Sequence, residues 1–365
     1  MKMKMLRIGK IACLLICLLI FIYPEVVYGQ GSSTIVSGKL IDEQTTEPIA
    51  FANVYVNGTT FGCQSNEKGL FTLRVPQTTS QIVISHLNFN TTAVDLQSNT
   101  SFVEVKLKRN VKALKEVVIG NVNYRLRNLQ AFRTWFIGKD IWGTKAKILN
   151  DSVLVFEKTS DGLLATAKSP LLIDLPLLGY KLSVDLVNFQ LIRDESNKTT
   201  QSSYVAYYYY IPVEYTNKKK IKEVYKARQE AYTCSSMHFF RSLFNDSLAV
   251  DGYAIYKERK IDNKIMYQPV KMDVAYFLDK NNEKILRIDG CKDSVFLICY
   301  YPSKDHPNVK KSDQPGYLVS KMYFTSDSCF VRSNGTLPDG SIMFDGAIGG
   351  KKVGAMLPEN YSPFQ

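Results

Sequence analysis

The stretch VSGKLIDEQTTEPIAFANVYVNGTTFGCQSNEKGLFTLRV, Val36 to Val75, decides the front of the fold. Its runs TIVSGKLID and PIAFANVYV are short and rich in β-branched and aromatic residues, the composition of strands. Asn57-Gly58 is a strong signal for a two-residue hairpin, because both positions can take positive φ. In SNEKGLFTLRV, Asn66 can form an Asx-turn and Gly69 supplies an open dihedral. Beyond that turn Phe71, Leu73 and Val75 alternate with Thr72 and Arg74, so one face is apolar and one wet. QIVIS repeats the pattern through Ile82 and Ile84, and FVEVKLK closes it with Val103, Val105 and Leu107. About seven short strands in about 75 residues predict a small antiparallel sandwich.

Outward toward the start, Lys2, Lys4, Arg7 and Lys10 precede a 13-residue apolar run, Ile11 to Tyr23. That run is short for a bilayer span and has the build of a secretory leader, with VYG ahead of a cleavage point at Gln30. An exported protein is therefore expected, in the periplasm or associated with the outer membrane. The formal charge of the whole chain is +12, and removing the leader takes it to about +9. Only TNKKKIKEVYKAR, Thr216 to Arg228, concentrates that charge. It reads first as a solvated helix face and second as a polyanion or lipid-headgroup site; no nucleic-acid partner is expected. Five cysteines follow the leader: Cys63, Cys234, Cys291, Cys299 and Cys329. Cys291 and Cys299 form the candidate disulfide by closeness in sequence, and no CxxC points to redox or zinc chemistry.

The sandwich residues carry a family resemblance. Gly38 to Asp42, Pro48 to Val54 and Gly69 to Phe71 resemble the motifs of the carboxypeptidase regulatory-like domain, a transthyretin-like sandwich common at the front of envelope proteins of diderm bacteria. Asn66 stands where that family usually has Asp, and Asn88 where it usually has Gly. The resemblance implies an accessory module, since in carboxypeptidases the chemistry belongs to a separate zinc domain. Zinc peptidase chemistry needs paired imidazoles, usually from His-x-x-Glu. Here only His86, His238 and His306 exist, followed three residues on by Phe89, Arg241 and Val309. No metal and no cofactor are expected. NVKALKEVVIG, Asn110 to Gly120, resembles the segment joining this domain to the plug of TonB-dependent receptors. The 245 residues after Gly120 are too few for a barrel of about 22 strands.

Beyond it, Leu126, Leu129, Phe132 and Phe136 recur at helical spacing, with Gly138 as a stop. In YKLSVDL, Tyr180, Leu182, Val184 and Leu186 share one strand face. The run Tyr207 to Tyr210 reads first as a strand covered on both sides. Its second reading is an aromatic platform for a sugar or peptide, formed by Tyr207 and Tyr209. A second helical passage carries a stripe of Met237, Phe240 and Phe244, capped by Ser235 or Thr233. Near it His238, Arg241, Arg228 and Tyr232 form the candidate ligand-binding constellation. Its plain reading is a satisfied structural histidine and an Arg241 paired with an acid; its sharper one is an anion site. AFRTWFIG, LGYKLSVDL, AYTCSSMHFFRSL and KVGAMLPENY resemble a group of exported proteins with this sandwich in front of a β-rich domain. Cys234 stands where that group usually has Gly.

No Gly-x-Ser-x-Gly elbow, P-loop or HExxH occurs, and no catalytic residue is assigned. GAIGGKKVG, Gly346 to Gly354, is expected to be a glycine turn rather than a phosphate cradle. The expected architecture is mainly β. Residues 1–29 are a leader and 34–109 a seven-stranded transthyretin-like sandwich. Residues 110–123 are a linker and 124–363 a β-rich α+β domain with a few helices. The expected role is non-catalytic binding or assembly at the cell envelope with a protein or glycan partner. The alternatives are a glycan or peptide hydrolase with unassigned acids, and glycan or peptide binding through exposed aromatics.

Overall fold

The computed structural model describes residues 33–97, 100–110, 122–196, 198–279, 283–290, 292–302, 317–337 and 340–363. The expected leader, and all but the ends of the expected linker, lie outside them. Thr34 to Gln365 cluster as one compact unit.

The front strands are β1 (Ser33–Asp42), β2 (Asn53–Tyr55), β3 (Gly62–Gln64), β4 (Leu70–Pro76), β5 (Gln81–His86), β6 (Phe89–Asp95) and β7 (Phe102–Leu107). They form two sheets, β4-β1-β7 and β3-β2-β5-β6. The inward residues close a core of Leu40, Val54, Phe71, Leu73, Ile82, Ile84 and Leu107. Seven strands in two sheets match the expectation, but β1 and β7 pair in parallel, so the sandwich is not wholly antiparallel. Both departures from the family pattern are accommodated. Asn66 Oδ1 accepts from the Lys68 and Leu70 N–H groups, as a carboxylate would. Asn88 adopts no positive φ, so its position does not require glycine. At Gly69, φ is +71° and a Cβ would stand 2.4 Å from the Leu40 carbonyl, so glycine is required there.

The middle of the chain forms a six-stranded antiparallel sheet: β8 (Lys147–Ile148), β9 (Leu154–Lys158), β10 (Gly162–Ala167), β11 (Leu171–Leu175), β12 (Tyr180–Arg193) and β13 (Thr199–Pro212). The long β12 is its spine. Its first half pairs with β11 and its second half with β10, while β13 runs along its other edge. Helix α1 (Val122–Phe132) continues as a π-helical turn, Arg133–Ile137, that ends at Gly138 with φ +116°. Phe132 and Phe136 stack at 4.7 Å, and both meet Phe189 in T-shaped contacts. Leu126 was expected on that stripe but is exposed. At 100° per residue it lies about 120° around from Phe132, whereas Asn128 lies about 40° away and takes the buried place.

The remaining strands are β14 (Tyr253–Ile261), β15 (Lys264–Pro269), β16 (Val274–Leu278), β17 (Lys284–Asp289), β18 (Val295–Tyr300), β19 (Leu318–Phe324), β20 (Ser328–Arg332) and β21 (Ile342–Asp345). They build sheets β15-β14-β18-β19-β21 and β16-β17-β20. These enclose a separate core of Phe239, Phe240, Leu286, Ile298, Met322 and Val331. The rear region, expected as one domain, thus has two cores. Besides the short α2 (Ile141–Lys145), two helices join them: α3 (Lys218–Tyr232), capped by Asn217, and α4 (Ser236–Phe244), capped by Ser235. Cys234 between them has φ +54°, the left-handed geometry that explains glycine at the corresponding position of the resembling group. The glycine-rich segment does open a helix, α5 (Gly346–Gly350), contrary to expectation. The Asp345 carboxylate accepts the Gly346 N–H, and the Ser320 hydroxyl accepts the Ile348 N–H. Among the described residues no helix is long and apolar enough to cross a membrane.

Candidate functional site

The sandwich meets the rear region along β12 and β13, and the residues there explain why. Cross-strand partners share a face. Leu182 with Tyr210 and Val184 with Tyr208 therefore face the middle core, while Ser183 with Tyr209 and Asp185 with Tyr207 face the sandwich. Both faces of β12 are buried, so a strand that reads as half wet carries the buried polar residues Ser183 and Asp185.

Asp185 is held by three hydroxyls of the sandwich, each at 2.6 Å: Tyr55 on Oδ2, Ser85 and Thr91 on Oδ1. These are short, charge-assisted bonds. Burial and the Asp185 charge push the Tyr55 hydroxyl far above its ordinary pKa, so it remains a donor. Beside it the Tyr55 and Tyr209 rings stack, with centroids at 5.1 Å and planes 15° apart. The Tyr209 ring lies on Gly62, where a Cβ would stand 2.3 Å from a ring carbon. The platform reading is therefore corrected for Tyr209, whose ring faces Tyr55 rather than solvent; Tyr207 is half-buried on the same strand face.

The Asn57-Gly58 turn docks on the outer edge of β13. The Gly58 N–H donates to the Tyr208 carbonyl, the Tyr208 N–H to Asn57 Oδ1 (both 2.8 Å), and the Tyr210 N–H to the Thr59 carbonyl. From the C-terminal segment the Glu359 N–H donates to the Gly58 carbonyl at 2.7 Å, and Asn360 exchanges bonds with Thr60.

Three of the four constellation residues meet. Tyr232 and His238 lie 4.8 Å apart, and the Arg241 guanidinium stands 5.5 Å from the Tyr232 ring. Arg228 is instead 4.1 Å over the Tyr180 ring, with Nε on the Leu178 carbonyl. His238 Nδ1 accepts the Cys234 N–H and stands 2.9 Å from the Tyr253 hydroxyl. All three donor nitrogens of Arg241 go to backbone carbonyls: Nε to Asn334, Nη1 to Tyr361 and Nη2 to Glu359. The anion-site reading is corrected accordingly: this guanidinium ties the C-terminal segment and the Asn334 loop to α4. Cys299 is a buried free thiol on β18; its expected partner Cys291 lies outside the described residues.

Next to this cluster a cavity of about 260 Å³ opens between the Asn57-Gly58 turn, the tyrosines of β13, the start of α4 and the C-terminal segment. Met237, Phe240 and Leu337 make it largely apolar; Lys351 and Glu359 supply its charges; His238 and Arg241 are not among its lining residues. Burial pushes the Glu359 carboxyl up to about 7, against the pull of Arg332, the Asn334 hydrogen bond and Arg241. Burial pulls the Lys351 ammonium down to about 8. Its three donors close the end of α3 by reaching the carbonyls of Glu230, Ala231 and Thr233. Among the described residues no group of His, Cys, Asp or Glu is placed to hold a metal ion.

Residues 36–119 match the family model of the CarboxypepD_reg-like domain. The match runs from within β1 through the rest of the sandwich and continues past β7. None of the curated proteins compared with the chain matches it. The CarboxypepD_reg-like domain is thus fixed to the rear region through Asp185 and Glu359, neither of which was singled out from sequence. Asp185 left one sign, a carboxylate alternating inside an apolar strand. Glu359, between Pro358 and Asn360 in an irregular tail, left none.

Proposed function

We propose that this chain is a non-catalytic binding or assembly protein of the cell envelope, with its CarboxypepD_reg-like domain held as a rigid part of one binding body. The observation that carries the reading is the use made of the reactive-type side chains. Asp185, Arg228 and Arg241, and His238 through Nδ1, make hydrogen bonds to other parts of the chain, which supports a structural use for them. Export and an envelope address rest on the leader-like start of the sequence. The test is a crosslinked pull-down from envelopes, paired with incubation of the purified protein on peptidoglycan and oligosaccharides. Recurrent recovery of one protein or glycan, with no product released, is expected. Turnover that disappears in Glu359→Gln would overturn the reading.

A second reading has one supporting observation. A carboxyl with its pKa near 7, beside a cavity, suits a general acid in hydrolysis of glycan or peptide. It is the weaker reading, because Glu359 is the sole carboxylate among the lining residues and a glycosidase needs two.

A further inference from the structure

The exposed face of α3 was not used by the junction. Lys218, Lys222 and Lys226 recur at i, i+4 and i+8, and Lys219 falls within the same arc of about 100°. All four are exposed, while Val224 and Ala231 on the opposite side are buried. The stripe runs about 12 Å along the helix at 1.5 Å per residue. Two acids flank the stripe, the exposed Glu223 four residues after Lys219 and Glu230 at 3.9 Å from Lys226; Lys218, Lys219 and Lys222 form no ion pair among the described residues.

This arrangement weakens the helix on its own. Like charges at i, i+4 repel, and cations in the first turn oppose the helix dipole, with no acid there to offset them. A merely solvated face needs polarity but not three cations in register along one line, which Glu223 and Glu230 flank without interrupting. The lysines are spaced about 6 Å apart along one line of the helix, a layout that suits a row of charges better than a single phosphate. They fit a flat array of negative charge. On one flank stands Tyr225, 48% exposed, an aromatic with a polar tip of the kind found at membrane interfaces.

We propose that the Lys218–Lys222–Lys226 face of α3 docks on the anionic phosphate headgroups of a membrane surface. The proposal does not rest on the binding role argued above, and it fails separately.

The test is co-sedimentation of the full chain with vesicles of phosphatidylcholine, with and without phosphatidylglycerol. The leader region is common to every variant, so differences between variants report on the helix. Binding to the anionic vesicles is expected, weakening as salt rises. The triple variant Lys218→Ala, Lys222→Ala, Lys226→Ala should bind roughly a hundredfold more weakly, from about tenfold or less per surface lysine. Alanine favours helix, so α3 should persist, and unchanged far-ultraviolet circular dichroism checks this. The control triple, Arg259→Ala, Lys260→Ala, Lys264→Ala, removes the same charge from the exposed β14–β15 hairpin and should bind like the parent. Equal weakening of both triples would show only net charge at work and overturn the proposal. So would equal binding to neutral and anionic vesicles, or helix-dependent capture of polyphosphate or DNA without vesicle binding.

Discussion

Two polar clusters in this molecule solve the same problem with opposite charges. Around Asp185 a buried anion is held by three side-chain hydroxyls that come from another part of the chain. Around Arg241 a cation is held by three backbone carbonyls, two of them in the C-terminal segment. A carboxylate accepts from any donor that reaches it, so it can gather scattered hydroxyls across a domain boundary. A guanidinium presents a fixed planar fork, which suits carbonyls displayed by irregular chain. The first cluster therefore joins two folded bodies; the second holds down a tail.

The comparison can be broken most forcefully at Asp185. Asp185→Ala would strand three hydroxyls at a buried surface and should cost about 3–5 kcal/mol, read as a lower urea midpoint at unchanged slope. A cost below about 1 kcal/mol would mean that the sandwich is held chiefly by Tyr209 stacking and the Asn57-Gly58 turn. Next in size is Arg241→Lys, which keeps the charge but cannot span three carbonyls. It should cost about 2 kcal/mol and make the C-terminal segment more sensitive to proteolysis. A neutral result would show that the tail is held through Gly58 and Thr60 instead.

The smallest effect sharpens the comparison through pH. The folded Glu359 carboxyl, at about 7, lies above its unfolded value of 4.5, so the folded state binds the extra proton between them. Its contribution to stability is complete below about pH 4.5 and is lost as pH rises through 7. Melting temperature should therefore fall across this window in the parent and fall less in Glu359→Gln. Lys351 lies outside the window: with its folded value near 8, below the unfolded 10.5, it remains charged in both states. An unchanged slope in the variant would place the pH dependence elsewhere.

Much of the sandwich was legible because it obeys local rules, alternation in Phe71–Val75 and an Asx-turn at Asn66; the two-residue hairpin expected at Asn57-Gly58 is corrected, since only Gly58 takes positive φ and four residues separate the bonded Val56 and Phe61. The helices of the rear region were legible for the same reason, from the Ser235 cap and the Met237–Phe240–Phe244 stripe. What the sequence hid was pairing at long range. Asp185 meets Ser85 across 100 residues and Tyr55 across 130, and no local pattern encodes that. Of the constellation His238, Arg241, Arg228 and Tyr232, the structure gathers three and sends Arg228 to the Tyr180 ring; Arg241 is held by carbonyls rather than by an acid, because sequence shows which donors exist and not which acceptors reach them first. The split of the rear region into two cores was hidden likewise, since α3 and α4 adjoin in sequence yet serve different sheets.

The tight turn of the front module also shields. β13 is a boundary strand whose aromatic-rich stretch, SYVAYYYYIP, carries no charge. Such a margin, left bare, is a template for further strands. By covering the amides of Tyr208 and Tyr210, the turn makes the sandwich a permanent guard of its neighbour's solubility. A rear fragment produced without it would offer that seam to other copies of itself.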